Sequence, residues 1–358
     1  MGIWYNPRKN QRGKVLIDRQ MFLYVLMLNR CLAKQFDHRL IGIEKEKRKN
    51  KMHNPNQNKK ALKMGVVLTD PEDWTARAFV KNIEKRGASA VPLNLSAVSA
   101  SISSTDFSVF DADSKDLELD AMLVRDVGIS FSLVIISFKF DLLRQFEHSM
   151  PVMNSPLAIQ NAANKFFSFY LFKRAHVPIP HTTITAELEV AVQAIEEFNR
   201  VLAKPIFGSQ GKGIIKLESS QPDLEQKLKE LLNERGVLYL QEFVPNPGRD
   251  IRVFVVGEEA LGAIYRVSLS GSFVSNLSQG GTPVKCALTE EIEELAIRAT
   301  KAVGADFAGV DLIEGEEGLF VLEVNGTPSG KGINQACGID VTEKIVALLF
   351  ERVGAARL

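Results

Sequence analysis

Three oxygen-bearing side chains sit in two short apolar runs near the carboxyl end of the chain. Asp311 interrupts Gly309-Val310-Asp311-Leu312-Ile313, and Glu323 and Asn325 lie two apart in Leu319 to Asn325. Side chains alternate along a strand, so Glu323 and Asn325 point to one face. The two runs flank the polar, glycine-bearing segment Glu314 to Gly318, which is a hairpin pattern. Pairing of the two runs would let Asp311 join that face. Two carboxylates and an amide are costly to bury unless a cation pairs with them, and oxygen donors of this kind suit Mg²⁺ or Mn²⁺. A solvent-facing strand face with a loop beyond it reads equally well from this stretch alone.

A second stretch bears on phosphate. Val201 to Ile206 reads as a strand, Phe207-Gly208-Ser209-Gln210-Gly211-Lys212-Gly213 as a glycine-rich loop, and Ile214 to Leu217 as the returning strand. Glycines let backbone N–H groups approach phosphate oxygens, and Lys204 or Lys212 would add charge. Gly213 follows Lys212 and no helix follows, so this is not a Walker A loop. A plain hairpin turn is the other reading. Val237 to Val244 is a strand ending in Gln241 and Glu242, whose polar edge suits a base. Asp250 to Val256 and Ala260 to Val267 form a hairpin with Arg266 in its second strand. An arginine snorkelling from a sheet edge is the bland account of Arg266. Taken together, these pieces describe ATP and a metal held between two antiparallel lobes. Phosphoryl transfer asks chiefly for positioning and charge neutralisation. No GxSxG elbow or Cys/His arrangement points to a protein nucleophile.

The rest of the chain must position these groups. Its 358 residues allow two or three domains, and 45% hydrophobic with 24% charged residues is ordinary for a globular protein. A net charge of +1 gives no global argument for nucleic acid or an anionic membrane. Cys31, Cys286 and Cys337 form no CxxC pair, which fits a reducing cytoplasm, and the five histidines lack zinc-ligand spacing. Residues 1–61 read as a basic, poorly ordered extension. Its apolar octet Met21 to Leu28, too short to span a bilayer, could also form an amphipathic helix, and Glu44 to Lys63 is a lysine- and asparagine-rich linker. The working protein is expected to begin near Met64.

Residues 62–155 alternate strand and helix. Met64 to Leu68, Ala90 to Leu93 and Ala121 to Val124 are strands, with a helix starting at Asp70-Pro71-Glu72-Asp73 and ending at Gly87. That order predicts a parallel sheet, and the absence of GxGxxG argues against a dinucleotide site. Ser96 to Asp116 reads as a loop or a weak excursion. Phe140 to His148 is predicted helical and Val152 to Asn154 a short strand, with a boundary near residue 155. Beyond it, helices are predicted from Pro156, over Lys165 to His176, Glu187 to Asn199, Leu224 to Leu232, Glu290 to Val303 and Thr342 to Arg352.

From about Asn161 to Ala347 the chain resembles the ATP-grasp ligases of the RimK type. The matching residues occur in the family's order: Asn164-Lys165; Lys204 with Gly208 to Gly213; Gln241-Glu242-Phe243; Gly248-Arg249-Asp250-Ile251-Arg252; Ser275-Asn276 with Gly280-Gly281; Gly309-Val310-Asp311; and Leu322-Glu323-Val324-Asn325 with Pro328. Ser137 to Asp141, Asn154-Ser155-Pro156 and Asn161 to Lys165 look like a subgroup that adds L-glutamate to tetrahydromethanopterin. The resemblance implies an α/β (α+β) protein, with an ATP-grasp fold over 156–358 preceded by a small parallel-sheet pre-ATP-grasp domain over 62–155.

It also implies roles. Lys165 and Lys204 would hold ATP phosphates under a cover of Gly208, Ser209, Gln210, Gly211 and Gly213. Gln241, Glu242, Phe243 and Val244 would take adenine, and Asp250 would lie near the ribose. Asp311, Glu323 and Asn325 would bind Mg²⁺ (or Mn²⁺), and Arg266 and Asn276 would face the γ-phosphate and an acyl phosphate. The implied reaction is an amide synthesis from L-glutamate and a carboxylate acceptor, tetrahydromethanopterin or a related cofactor, in the cytoplasm and without nucleic acid or membrane. A protein C-terminus or an amino-group carrier protein is the alternative acceptor; an ATP-binding module without ligase activity and a carboxylate kinase are the alternative activities. A homo-oligomer stays open. Val274 and Gln279 stand where the family often carries arginine, which removes cationic contacts near the reacting groups. The Gly326 to Gly332 loop, with Lys331, is where substrate choice is expected.

Overall fold

The computed structural model describes residues 61–130, 132–208, 211–267 and 282–357. The readings made on residues 1–60, on Ser209 and Gln210, and on Val274, Ser275, Asn276, Gln279 and Gly280-Gly281 lie outside the described residues.

The first layer is a parallel sheet. Strand β1 (Lys63–Val67) is followed by helix α1 (Trp74–Lys85) and β2 (Ser89–Leu93). Helix α1 begins later than its Asp70-Pro71 signal because Asp70 accepts from Glu72 N in a turn of its own. Asp73 is the residue that caps the helix, through Ala76 N. The segment expected to be a loop holds a 3-10 turn at Leu95–Ala97 and an antiparallel hairpin, β3 (Ser99–Ile102) with β4 (Phe107–Phe110). Ser103 Oγ accepts from Asp106 N at 3.0 Å and closes the tip, a local side-chain turn that composition alone hides. Strand β5 (Ala121–Val124), helix α2 (Leu133–Ser149) and β6 (Val152–Met153) complete the layer, in the order β2-β1-β5-β6. Helix α2 extends well before Phe140. Its first turns carry exposed Leu133, Val134 and Ile135, so no amphipathic stripe marks them.

Helices α3 (Pro156–Ala163), with Pro156 in its first turn, and α4 (Lys165–Arg174), capped by Asn164, lead into the second sheet. That sheet has β7 (Thr182–Thr185), helix α5 (Leu188–Phe198), β8 (Arg200–Lys204), β9 (Ile215–Glu218), helix α6 (Leu224–Arg235) and β10 (Leu238–Glu242). Its order is β7-β10-β8-β9, antiparallel throughout. Helices α5 and α6 cover one face through Ile195 and Leu228, against Val201, Ala203, Leu238 and Leu240. Strand alternation sends Lys204 and Gln241 to the other face.

The third sheet carries β11 (Arg249–Val256), β12 (Glu259–Val267), β13 (Thr282–Cys286), β14 (Phe307–Gly315) and β15 (Gly318–Asn325), in the order β13-β12-β11-β14-β15. Helix α7 (Glu290–Val303) precedes β14. It is capped by Thr289 and stopped by left-handed Gly304. Helices α8 (Lys331–Cys337) and α9 (Val341–Ala356) close the chain. The expected loop at 326–332 thus turns helical at Lys331.

The two faces of this sheet differ. Ile251, Val253, Val255, Val310 and Val324 meet Leu295, Ala296 and Ala299 of α7 in one core. On the other face Phe254, Val256, Ile264 and Phe307 pack with α1, α9 and the first sheet. Further along the same strands, that second face changes from apolar to charged.

Candidate active site

The charged half-face is built by register. Asp250 on β11 pairs with Arg266 on β12, Arg252 on β11 with Asp311 on β14, and Asp311 with Glu323 on β15. Gly309 pairs with Asn325, so the metal set predicted from alternation does share one face. The hairpin over Glu314 to Gly318 forms as expected.

Arg266 is the hub. Its Nε and Nη2 donate to Asp250 Oδ1 and Oδ2 at 2.6 and 2.7 Å, and Nη2 also donates to Asp311 Oδ2 at 2.8 Å. It is only 5% exposed, so it is a buried ion-pair centre and not a snorkelling edge residue. Burial opposes its charge, but Asp311 and Asp250 outweigh that and hold its pKa upward. Arg252 grips Asp311 as a bidentate partner, through Nε and through Nη2 at 2.8 Å. Burial would raise the Asp311 pKa; Arg252 and Arg266 hold it well below the usual carboxylate range. Arg252 was given no role from sequence, although it sits two residues after Asp250 on the same strand face. Gly309 makes room for it: a Cβ there would lie 2.9 Å from Arg252 Nη1 and 3.1 Å from Pro328 Cβ.

Two lysines face this carboxylate row from the other elements. Lys165, at the start of α4, lies 3.5 Å from Glu323 Oε2 and donates to Gly208 O at 3.0 Å, which ties it to the glycine loop. Lys204, at the end of β8, is 7% exposed and donates to Gln241 Oε1. An ammonium has three N–H donors, and among the described residues Lys204 has that one acceptor and no carboxylate within 4 Å. Burial pushes its pKa down from 10.5 to about 8, with Glu323, Asp311 and Asp250 pulling the other way. Lys212, by contrast, is exposed. In the loop, Gly211 (φ 70) and Gly213 (φ 74) occupy the left-handed region that favours glycine.

At the end of β10, Glu242 N donates to His181 O and Phe243 N to Arg200 O, each at 2.9 Å. The Phe243 ring packs against Arg200 and Lys216. The Val244 carbonyl accepts from Asn246 Nδ2, while its N–H has no acceptor among the described residues. That N–H is a free donor at the strand end where adenine was expected. Asp250 directs both oxygens to Arg266, so a ribose contact would have to share them.

Asn154 is a further residue that sequence left without a role. It is fully buried. Its Nδ2 donates to Phe307 O and Gly326 O at 2.7 and 2.6 Å, and its Oδ1 accepts from Asp306 N and Phe307 N at 2.6 and 3.2 Å. It therefore joins the start of β14 to the end of β15, the two strands that carry Asp311, Glu323 and Asn325. Arg125 adds a second tie: it donates to Thr327 O at 3.1 Å while paired with Asp73.

The donors present fit a hard cation. A carboxylate offers about four lone-pair sites, and the two arginines use three on Asp311, leaving one. Glu323, opposite it, is partly exposed, and Asn325 Oδ1 accepts one bond, from Thr327 N at 2.9 Å. Among the described residues no group of three His, Cys, Asp or Glu is arranged to hold a metal, so Asn325 would complete the set. Lys165, Lys204, Arg252 and Arg266 face Asp250, Asp311 and Glu323. The cations outnumber the carboxylates, as an anionic polyphosphate would require.

Residues 162–349 match the model of the RimK-like ATP-grasp domain. The chain belongs to this family. It is 44% identical over 319 residues to the tetrahydromethanopterin:alpha-L-glutamate ligase of Methanosarcina acetivorans, a match covering 80% of this chain and 98% of that protein. It is 37% identical over 300 residues to the protein of the same name from Methanocaldococcus jannaschii, covering 82% and 99%. The solved structure of the ATP-grasp ligase PsnB complexed with minimal precursor, Mg, and ADP superposes with a TM-score of 0.63. At 21% identity it covers 81% of this chain and 98% of that one, and it shows the fold. The protein is an ATP-dependent ligase with the mixed α/β architecture expected from its sequence. Among its described residues no helix is long and apolar enough to cross a membrane.

Proposed function

We propose that this ligase joins the amino group of L-glutamate to a carboxylate of tetrahydromethanopterin or a closely related cofactor. The observation that carries the reading is the buried row Asp250–Arg266–Asp311 with partly exposed Glu323 at its end, and Lys204 facing it short of anionic partners. Likeness over 80–82% of this chain to the two tetrahydromethanopterin:alpha-L-glutamate ligases supports the choice of substrates.

In this reading Lys165 and Lys204 hold the phosphates, and the 208–213 loop lies over them. Gln241 orients Lys204, while Glu242, Phe243 and the Val244 N–H take the adenine edge. Asp311, Glu323 and Asn325 hold Mg²⁺, or Mn²⁺ with the same oxygen preference, which supplies charge neutralisation at the phosphates. An acceptor carboxylate oxygen attacks the γ-phosphorus and the bond to ADP breaks. The glutamate nitrogen then attacks the acyl carbon, inorganic phosphate leaves, and the amine gives up a proton. Arg266, locked by Asp250, offers a fixed guanidinium to the developing negative charge. Asn276 is assigned to the acyl phosphate by the family resemblance alone. The pre-ATP-grasp segment 62–155 packs on the ligase segment and supports the metal-bearing strands.

Asp311→Asn and Glu323→Gln are expected to abolish glutamate-dependent ADP release while circular dichroism stays native. Full turnover in either variant would overturn the reading. Product mass, with one or more glutamyl residues added to the pterin acceptor, checks the substrates.

A further inference from the structure

Lys139, on α2, shares with Lys204 its burial and a single neutral hydrogen-bond acceptor, and has no part in the nucleotide site. It is 4% exposed, and these are the two lysines buried to this degree among the described residues. Its ammonium donates to one neutral oxygen, Val127 O, at 2.8 Å. No carboxylate lies within ion-pair distance of it among the described residues. The acid of the adjoining turn, Asp126, directs Oδ2 to Thr69 Oγ1 and Oδ1 to Gly128 N. Gly128 (φ 76) runs over the lysine so closely that a Cβ would lie 3.1 Å from its Nζ. An ammonium has three N–H donors, and among the described residues Lys139 has this one acceptor.

Its position is informative. Thr69 follows β1 and Asp126 follows β5, so Lys139 stands at the carboxyl edge of the parallel sheet, where open α/β sheets bind ligands. The turn it holds leads back through Val127 and Asp126 to Arg125, and Arg125 donates to Thr327 O in the loop that follows Asn325. Lys139 is thereby linked, over a short chain of contacts, to the loop that follows Asn325.

Resting on the glutamate-ligase reading, we propose that Lys139 is a specificity-determining residue that binds a carboxylate of an acid substrate. Both substrates carry carboxylates. L-glutamate keeps two beside its reacting amine, and the acceptor brings the one that is activated and any it carries elsewhere.

The test compares wild type with Lys139→Met and Lys139→Gln in the full chain. KM is measured for ATP, L-glutamate and the pterin acceptor, and thermal unfolding is followed in parallel. The KM of one acid substrate is expected to rise roughly 10- to 100-fold, as for loss of a charged partner. KM for ATP should stay within about twofold, and the melting temperature should hold or rise because an unpaired buried charge has been removed. Which KM moves identifies the source of the carboxylate. In the glutamate case, preference for L-glutamate over L-glutamine also shrinks. A fall in melting temperature with both acid KM values unchanged would make Lys139 a structural lysine and overturn the proposal. Calorimetric titration of L-glutamate and of the acceptor needs no turnover. It separates failure of this inference from failure of the ligase reading, which would appear as wild type without glutamate-dependent ADP release.

Discussion

Lys204 is the residue whose chemistry depends most on its surroundings. Its pKa of about 8 lies below the ordinary 10.5, so between those values the unfolded chain binds a proton that the native chain does not. The contribution of this group to stability is therefore fully present above 10.5 and is lost as pH falls through 8. Phosphate oxygens would favour the charged form and reverse the shift. Nucleotide binding is expected to take up close to one proton per site between pH 8.5 and 9.5, a range that follows roughly from the two pKa values. Affinity for ATP should fall as pH rises through that range. Calorimetry in buffers of different ionisation enthalpy measures the uptake, and Lys204→Met should abolish it. Arg252 gives a different lesson at this scale. Its i, i+2 relation to Asp250 was visible in the sequence, but its partner Asp311 lies 59 residues away, and only register shows that the two meet.

The strand pair β14–β15 shows how an element depends on something outside it. A bulge between Asp311 and Leu312 leaves two registers along one hairpin, and a slip of one residue would turn Glu323 away from Asp311. Asn154 holds the end of the pair that carries Asp311, Glu323 and Asn325, the proposed metal ligands. Asn154→Ala removes its four hydrogen bonds and leaves two buried carbonyls short of a donor. A loss of about 2–4 kcal/mol in urea unfolding is expected. The Mg²⁺ concentration needed for half-maximal nucleotide binding should rise as well, which a general loss of packing would not cause. Elements of this kind were legible unevenly. Helix α7 was read to its ends, because Thr289, an apolar stripe and Gly304 are all local signals. The β3–β4 hairpin and the first turns of α2 were not, because neither shows a periodic apolar face.

At the scale of the molecule, the order of motifs from Lys165 to Asn325 singled out Lys165, Lys204, Asp311 and Glu323, and the structure brings Lys165 to 3.5 Å from Glu323 and pairs Asp311 with Glu323. What it lacked was the support. Asn154 and Arg125 act through backbone carbonyls, and a carbonyl has no sequence signature. Among the described residues the apolar residues of the four cores run from Leu62 to Val353. A chain starting at Ala61 is accordingly expected to fold cooperatively and to bind ATP, as thermal unfolding with and without nucleotide would show. Loss of either property would mean that residues 1–60 contribute to the working protein.

The register that builds the charged row also dates it within the folding reaction. Asp250 meets Arg266 across one hairpin turn, yet Arg252 reaches Asp311 only after β13 and α7 have been traversed. Closing so long a loop carries its entropy cost before any contact returns it, so high-contact-order pairings of this kind form slowly. Until β11 and β14 zip together, the hairpin of β11 and β12 presents a guanidinium pair with one carboxylate, and the β14–β15 pair presents two carboxylates with nothing to balance them. Neither half alone carries both the residues proposed to hold the metal and the arginines that face them, so ligase activity is expected only once the central sheet is complete.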